Sequence, residues 1–427
     1  MAILGIDYGS SYTTVSWINP RHGKPEAVKF NGDGSVKYPS VILGYNNGLV
    51  SGYQALNYLE EVDKLPSEKR FEMLANFIPS LKRILNPKGI EFIGDKEYTH
   101  KELLEFFFKQ VKQLANAHCG NEVEFDSVVI SHPVDCEEST VQMLRQALSA
   151  SGFKEVKTKF EPIAAVMGYG IDHDIPEGQG ILVFDFGGGT IDVAYAKKHL
   201  DSYRILCEPK GDKSCGGQDI DMLLYEDLRK KVLAKYEMDI SKDNMVDLGM
   251  LNSCRRLKEH FSDSNDVHET SIVFVKDGRI ITFKYKLNRD SFNNIISQKV
   301  ADAINVAKAV IKQTETKQLK IDKVLLIGGS SQLTLVRQML TDVLPESAID
   351  TCGEKDIAVA LGNVADERKD ISLYPKPSPS SCPIDRNRYI VCPSCGSKEC
   401  YHHKGKIGYL CLNCGYDGPN VKVTIIR

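Results

Sequence analysis

No stretch of this 427-residue sequence is apolar for long enough to cross a membrane. Met1 runs straight into strand-forming residues, with no charged and then apolar leader. These two absences predict a chain that stays in the cytoplasm and has no membrane partner. An excess of one charge is also missing, since 54 Lys and Arg stand against 57 Asp and Glu, a net of −3. Nothing global therefore indicates nucleic acid or an anionic surface as a partner. Neither a P-loop nor a dinucleotide fingerprint occurs, so a phosphate site must be built another way. A disulfide scaffold is disfavoured too. Of twelve cysteines, four have metal-ligand spacing and eight are scattered, which suits a reducing compartment. The length predicts two or three domains with sizeable cores.

What is present is organised around Ile181 to Ala196, ILVFDFGGGTIDVAYA. Four apolar residues make a buried strand ending at Asp185. Gly187, Gly188 and Gly189 form a turn, Thr190 follows, and Ile191 to Tyr195 alternates like a returning strand. The bare amides of such a turn can bind anionic oxygens, and Asp185 and Asp192 could hold a hydrated Mg²⁺. Taken alone, the motif is equally an ordinary tight hairpin. A second copy argues otherwise: Ile3 to Val15, ILGIDYGSSYTTV, again runs strand, acid, glycine, hydroxyls, strand. Asp185 lies 178 residues after Asp7, a domain-sized separation. Two facing cradles would hold a polyphosphate and its metal from both sides.

Between these motifs the pattern predicts a strand at Lys37–Leu43 and a mostly helical Leu65–Leu85 broken at Pro79. It predicts a helix over Lys101–Ala117 with Leu103, Leu104, Phe107, Phe108, Val111 and Leu114 on one apolar stripe. A strand at Phe125–His132 and a helix over Glu137–Ser151, stopped by Gly152, follow. Beyond the central motif, Gly216 to Asp221 is predicted to open a helix running to about Tyr236, and a second helix covers about Met245 to Phe261. Then come a hairpin turning at Asp277-Gly278 and a helix over Ser291–Thr314. The strand Val324–Ile327 feeds Gly328-Gly329-Ser330-Ser331 and a helix to Leu344, a junction that could aim helix N-terminal amides at a ligand.

With these motifs assembled, residues 1 to about 366 resemble the nucleotide-binding domain of the 70-kDa heat-shock chaperones (DnaK type), of the actin and sugar-kinase superfamily. The carrying motifs are Gly5-Ile6-Asp7-Tyr8-Gly9-Ser10-Ser11, Leu81-Lys82-Arg83, Phe160-Glu161-Pro162-Ile163-Ala164-Ala165 with Tyr169-Gly170, Phe184 to Val193, Gly216-Gly217 before Asp219 and Asp221, and Leu326 to Ser331. The resemblance implies an α/β, duplicated, actin-like (ribonuclease H-like) two-lobed ATPase fold, with lobes at 1–180 and 181–366. It implies ATP or ADP with Mg²⁺ as ligands and K⁺ as a further candidate. Asp7 and Asp185 would organise Mg²⁺ through water. Gly9, Ser10, Ser11 and Tyr12 would line one phosphate loop and Gly187, Gly188 and Gly189 the other. Lys82 would orient the attacking water, Thr190 would meet the γ-phosphate, and Glu161 and Asp192 would complete the network. Gly216, Gly217, Lys258, Ser262, Gly328, Gly329, Ser330 and Asp356 complete the implied nucleotide set. Chaperone relatives carry acid, lysine–arginine and serine on the adenine helix. Here Arg255, Lys258, Glu259 and Ser262 keep lysine and serine but exchange the acid and the arginine. Gln332 and Thr334 likewise replace the usual arginine and proline.

After residue 366 the resemblance stops, and the relatives' peptide-binding β-sandwich and helical lid have no counterpart in the sequence. A Pro/Ser-rich spacer, residues 367–388, leads to residues 389–427. There Cys392-x₂-Cys395-x₁₅-Cys411-x₂-Cys414, with Gly396 and Gly415 after the pairs, predicts a small β zinc ribbon holding Zn²⁺ by four thiolates. Cys400, His402 and His403 read as spare loop residues between the pairs. Seven basic residues against three acidic from Asp385 onward, with Tyr389, Tyr401, Tyr409 and Tyr416 among them, allow a nucleic-acid contact. A charge so modest favours a protein partner. The expectation is an ATP-hydrolysing switch of the chaperone type that uses the ribbon for partner recognition. The alternatives are a non-hydrolysing nucleotide sensor or scaffold, a nucleic-acid-associated regulator, and a small-molecule kinase on the same fold.

Overall fold

A computed structural model describes residues 2–30, 34–61, 67–120, 123–200, 202–240, 244–263, 267–345, 347–351 and 357–365. Within 388–425 it describes the backbone of five short strands. The framework is mixed α/β with several sheets, two of them large. Ten of the twelve strands of the large sheets are numbered here in chain order. The first sheet holds β1 (Ala2–Tyr8), β2 (Tyr12–Asn19), β3 (Lys24–Ala27), β4 (Phe125–His132) and β5 (Glu155–Phe160), ordered β5-β4-β1-β2-β3. The second holds β6 (Gly180–Phe186), β7 (Ile191–His199), β8 (Ser202–Ile205), β9 (Lys323–Ile327) and β10 (Ala348–Thr351), ordered β8-β7-β6-β9-β10. In each, an antiparallel three-strand meander continues into two parallel strands. A sixth short strand pairs the inner hairpin at the same place in both, Lys37–Pro39 on β2 and Lys210–Asp212 on β7. The two motifs thus stand at equivalent positions of two sheets with one topology.

Apolar runs without alternation, such as Ile181–Phe184 and Val128–Ile130, are buried because both faces of these sheets are covered. One core gathers on the first sheet around Leu4, Ile6, Phe107 and Phe108, and another on the second around Phe184, Phe186 and Phe292. The first is closed by the helix His100–Cys119, whose Thr99 and Glu102 form a capping box. Of its expected stripe, Leu103, Leu104, Phe107, Phe108 and Val111 are buried, whereas Leu114 is only half-buried and Ala115 takes the inner position.

Two short helices cross between the sheets: α1 (Glu161–Tyr169) after β5, and α4 (Ala358–Val364) after β10. Each packs chiefly against the other and against the sheet of the opposite half. The crossing is backbone on backbone. A Cβ on Gly168 would lie 1.9 Å from the Ala358 carbonyl oxygen, and one on Gly362 would lie 1.7 Å from that of Ala164.

Four local expectations are corrected. Lys37–Leu43 is two strands, because the Ser40 amide bonds the Ser11 carbonyl oxygen (3.0 Å) and its hydroxyl meets Thr13 (2.9 Å); Ile42–Tyr45 then joins another sheet. Leu65–Leu85 is helical over Ser67–Ala75 and again over Leu81–Ile84, but Phe77–Ile78 before the break is a strand paired with Ile42 and Leu43, a contact local periodicity cannot carry. The helix after β9 is preceded by a 3₁₀ turn, Gly329–Gln332, and begins at Thr334. In the tail, Cys400–His402 is a strand paired with Tyr409–Cys411, so Cys400 and His402 are not loop residues. His403 lies outside the described residues. Among the described residues no helix is long and apolar enough to cross a membrane.

Candidate nucleotide cleft

Each cradle turn is closed by the same bond. The Gly9 amide donates to the Tyr12 carbonyl oxygen (3.1 Å), and the Gly187 amide to that of Thr190 (3.0 Å). The turns meet face to face. A Cβ on Gly188 would lie 2.3 Å from Ser11 Oγ, and one on Gly189 would lie 2.2 Å from Ser10 Oγ. Only residues without side chains let the second loop come this close to the serines of the first. Together with Asp7, Lys82, Glu161, Asp185, Gly328 and Gly329, these loops line a cleft of about 760 Å³.

The second loop is held from behind by the helix α2 (Gly217–Tyr236). Its Gly217 and Gln218 amides donate to the carbonyl oxygens of Gly187 (2.9 Å) and Gly188 (2.8 Å), and Asp219 caps the Gly216 amide (2.7 Å). Gly216 and Gly217 therefore shape the loop from outside the cleft lining. Ser330 does the same from the 3₁₀ turn, donating to the Gly187 carbonyl oxygen (2.9 Å). Lys258, on the helix α3 (Asn244–Asp263), donates to the Gly217 carbonyl oxygen and pairs with Asp221, both at 2.8 Å. Burial raises the Asp221 carboxyl and lowers the Lys258 ammonium, each against the pull of its partner. Ser262, one turn on and half-buried, is not in the cleft lining. Asp356 lies outside the described residues, as do Cys392, Cys395 and Cys414; of Cys411 only the backbone strand is described.

At the floor, Lys82 donates to Glu161 Oε1 (3.0 Å), and Thr190 donates to Asp192 Oδ2 (2.8 Å). Burial, then repulsion from Glu161, pushes Asp7 up to about 7 against the pull of Lys82. Burial and Glu161 also bring Asp192 to about 7, and burial with three neighbouring carboxylates raises Asp185 well above its ordinary value. Burial works against the Lys82 ammonium, but Glu161 and Asp7 outweigh it and raise its pKa. Four carboxylates around one ammonium form a site short of positive charge, which fits a hydrated dication. Among the described residues no group of three His, Cys, Asp or Glu is placed to hold a metal ion together.

Several residues around the cleft have no ligand role assigned by the motifs. Arg83 reaches across from the first half to Gln218 Oε1 (2.8 Å), the Lys213 carbonyl oxygen (3.3 Å) and Asp219 (3.4 Å). The Arg255 guanidinium lies 4.9 Å from the centre of the Tyr12 ring and pairs with Glu259 (3.3 Å). Lys37 and Thr14 also line the cleft.

A family profile described as "Hsp70 protein" matches residues 76–366. Among curated proteins the chain is similar to the chaperone protein DnaK of Ureaplasma urealyticum, at 27% identity over 380 residues, which is 87% of this chain and 60% of that protein. DnaK of Mycoplasma mobile is 26% identical over 361 residues, 84% of this chain and 57% of the relative. For Thermotoga neapolitana the figures are 24% over 385 residues, 87% and 61%. The chain thus spans about 60% of the length of the curated relatives it matches.

Proposed function

The chain belongs to the Hsp70 protein family, and from that premise we propose that its first 366 residues are an ATP-binding and ATP-hydrolysing switch of two lobes, divided near residue 180. The observation that carries this reading is the meeting of the two cradle turns over buried carboxylates and one ammonium. Asp7 and Asp185 would hold Mg²⁺ through its waters, and the ion would supply positive charge against that developing on the phosphate. The chain's own groups do the positioning. Loop amides receive phosphate oxygens, and the Lys82 ammonium, fixed by Glu161, holds the attacking water near the terminal phosphorus. Thr190, whose hydroxyl is tied to Asp192, contacts the γ-phosphate, and Asp7 and Asp185 orient water on the ion. Arg255 beside Tyr12 supplies a guanidinium near the mouth of the cleft, where the family pattern would place an acid.

A thermal melt tests the reading. Ligand that binds only the folded state adds about 2.7 kcal/mol at a hundredfold excess over Kd. Millimolar ATP or ADP with Mg²⁺ should therefore raise the unfolding temperature, and a melt that does not move sinks the proposal.

For the tail we propose a zinc ribbon that carries a protein partner. Two described strands, Cys400–His402 and Tyr409–Cys411, form a hairpin that ends at the second cysteine pair, and four thiolates at this spacing suit tetrahedral zinc. Elemental analysis should find one zinc per chain. Cys411→Ser should release it and unfold the ribbon alone, because metal binding supplies the folding energy. Loss of nucleotide binding in that variant would refute the independence of the two parts.

A further inference from the structure

Among the described residues that line the cleft, one buried hydroxyl has no hydrogen-bond partner. Along one face of β2, Ser16 donates to the Ala360 carbonyl oxygen (2.5 Å), and Tyr12 stands under Arg255. Thr14 lies between them on the same face and lines the cleft, yet its Oγ1 is buried and has no hydrogen-bond partner among the described residues. The residue is only 3% exposed. On the other face, neighbouring Thr13 is satisfied by Ser40. A buried hydroxyl without a partner is costly in a native structure and calls for an explanation.

The register supplies one. Thr14 stands directly opposite Asp7 in the β1–β2 hairpin, as Asp192 stands opposite Asp185 in β6–β7. It is the first hairpin's counterpart of Asp192, with a neutral hydroxyl in place of the carboxylate. We propose that Thr14 is a positioning residue whose hydroxyl accepts a hydrogen bond from a water on the Mg²⁺ ion, beside Asp7. This rests on the nucleotide reading above. It explains why the first hairpin carries a hydroxyl where the second carries an acid: a fifth carboxylate would deepen the repulsion already pressing on Asp7.

The test compares Thr14→Val, which keeps the shape and removes the hydroxyl, with Thr14→Ser, which keeps the hydroxyl. Thermal melts without ligand and titrations of Mg²⁺ at fixed ADP, followed by calorimetry, are read for both. Thr14→Val should melt at or above the wild-type temperature without ligand, because nothing in the chain loses a partner. It should need about three- to tenfold more Mg²⁺ for half-maximal tightening of ADP binding, whereas Thr14→Ser stays within about twofold of wild type. Binding of ADP in EDTA should be the same in all three proteins. A Thr14→Val protein with wild-type Mg²⁺ dependence, with an equal defect in EDTA, or with lowered stability without ligand overturns the inference. A wild type that binds no nucleotide overturns both this inference and the reading it rests on.

Discussion

Lys82→Ala is expected to bind Mg²⁺–ATP within a few-fold of wild type and to hydrolyse it about 10²–10³-fold more slowly, a loss of roughly 3–4 kcal/mol in the transition state. The ammonium is fixed by Glu161 at 3.0 Å and stands among four carboxylates on the cleft floor. A group held this way acts mainly as charge crosses to the attacking water and the leaving oxygen, so its removal lowers kcat more than affinity. Lysine removal also leaves Glu161 unpaired, which can cost stability. Lys82→Gln, which retains a donor of similar reach, and melts with nucleotide bound separate that effect from catalysis. Single-turnover hydrolysis is the measurement. Equal rates for wild type and Lys82→Ala would remove the catalytic assignment and leave the nucleotide-sensor reading in its place.

The largest effect on stability is expected at the helix crossing. Gly362→Ala gains about 1 kcal/mol of helix propensity but places a methyl 1.7 Å from the Ala164 carbonyl oxygen and 2.8 Å from the Gly168 nitrogen. These are backbone atoms of a buried helix, so no rotamer can relieve the clash and the helices must separate. The expected net loss is about 3 kcal/mol or more, a drop of roughly 6–12 °C in the unfolding midpoint. Gly48→Ala, whose methyl meets nothing closer than 3.6 Å, is the matched control. Gly362→Ala melting with the control would show that the crossing tolerates a wider spacing.

The two cradles were legible because every residue they need is local: an apolar strand, an acid at its end, glycines and a hydroxyl. Asp7, Asp185, Thr190 and Asp192 could be placed from spacing alone, and their registers match across the two sheets. Lys82 was not legible in that way. A lysine on a four-residue helix is an ordinary surface cation until the fold brings Glu161 to it. Arg83 is harder still, since its partners on the far side of the cleft lie 130 to 136 positions away. Gly216 and Gly217 enter the nucleotide set only through the resemblance, and their surroundings are not local either, since the first amides of their helix bond the carbonyl oxygens of the Gly187–Gly188 loop. The misjudged helix before Pro79 failed for the same reason as Arg83: Phe77 and Ile78 take their structure from strand partners more than thirty positions upstream.

The exchange of helices between the halves has a consequence for how the chain is made. Helix α4 presses the carbonyl of Ala360 onto Ser16 and the amide of Asn363 onto the Ile6 carbonyl, so a wall of the first sheet comes from residues 358–364. On a ribosome that adds about 5–20 residues per second, the first half emerges roughly 10–40 s before the helix that completes it. During that interval the slot for α4 stands open. Cutting the gene between the two large sheets would leave each product without the helix that packs on its sheet from the other half.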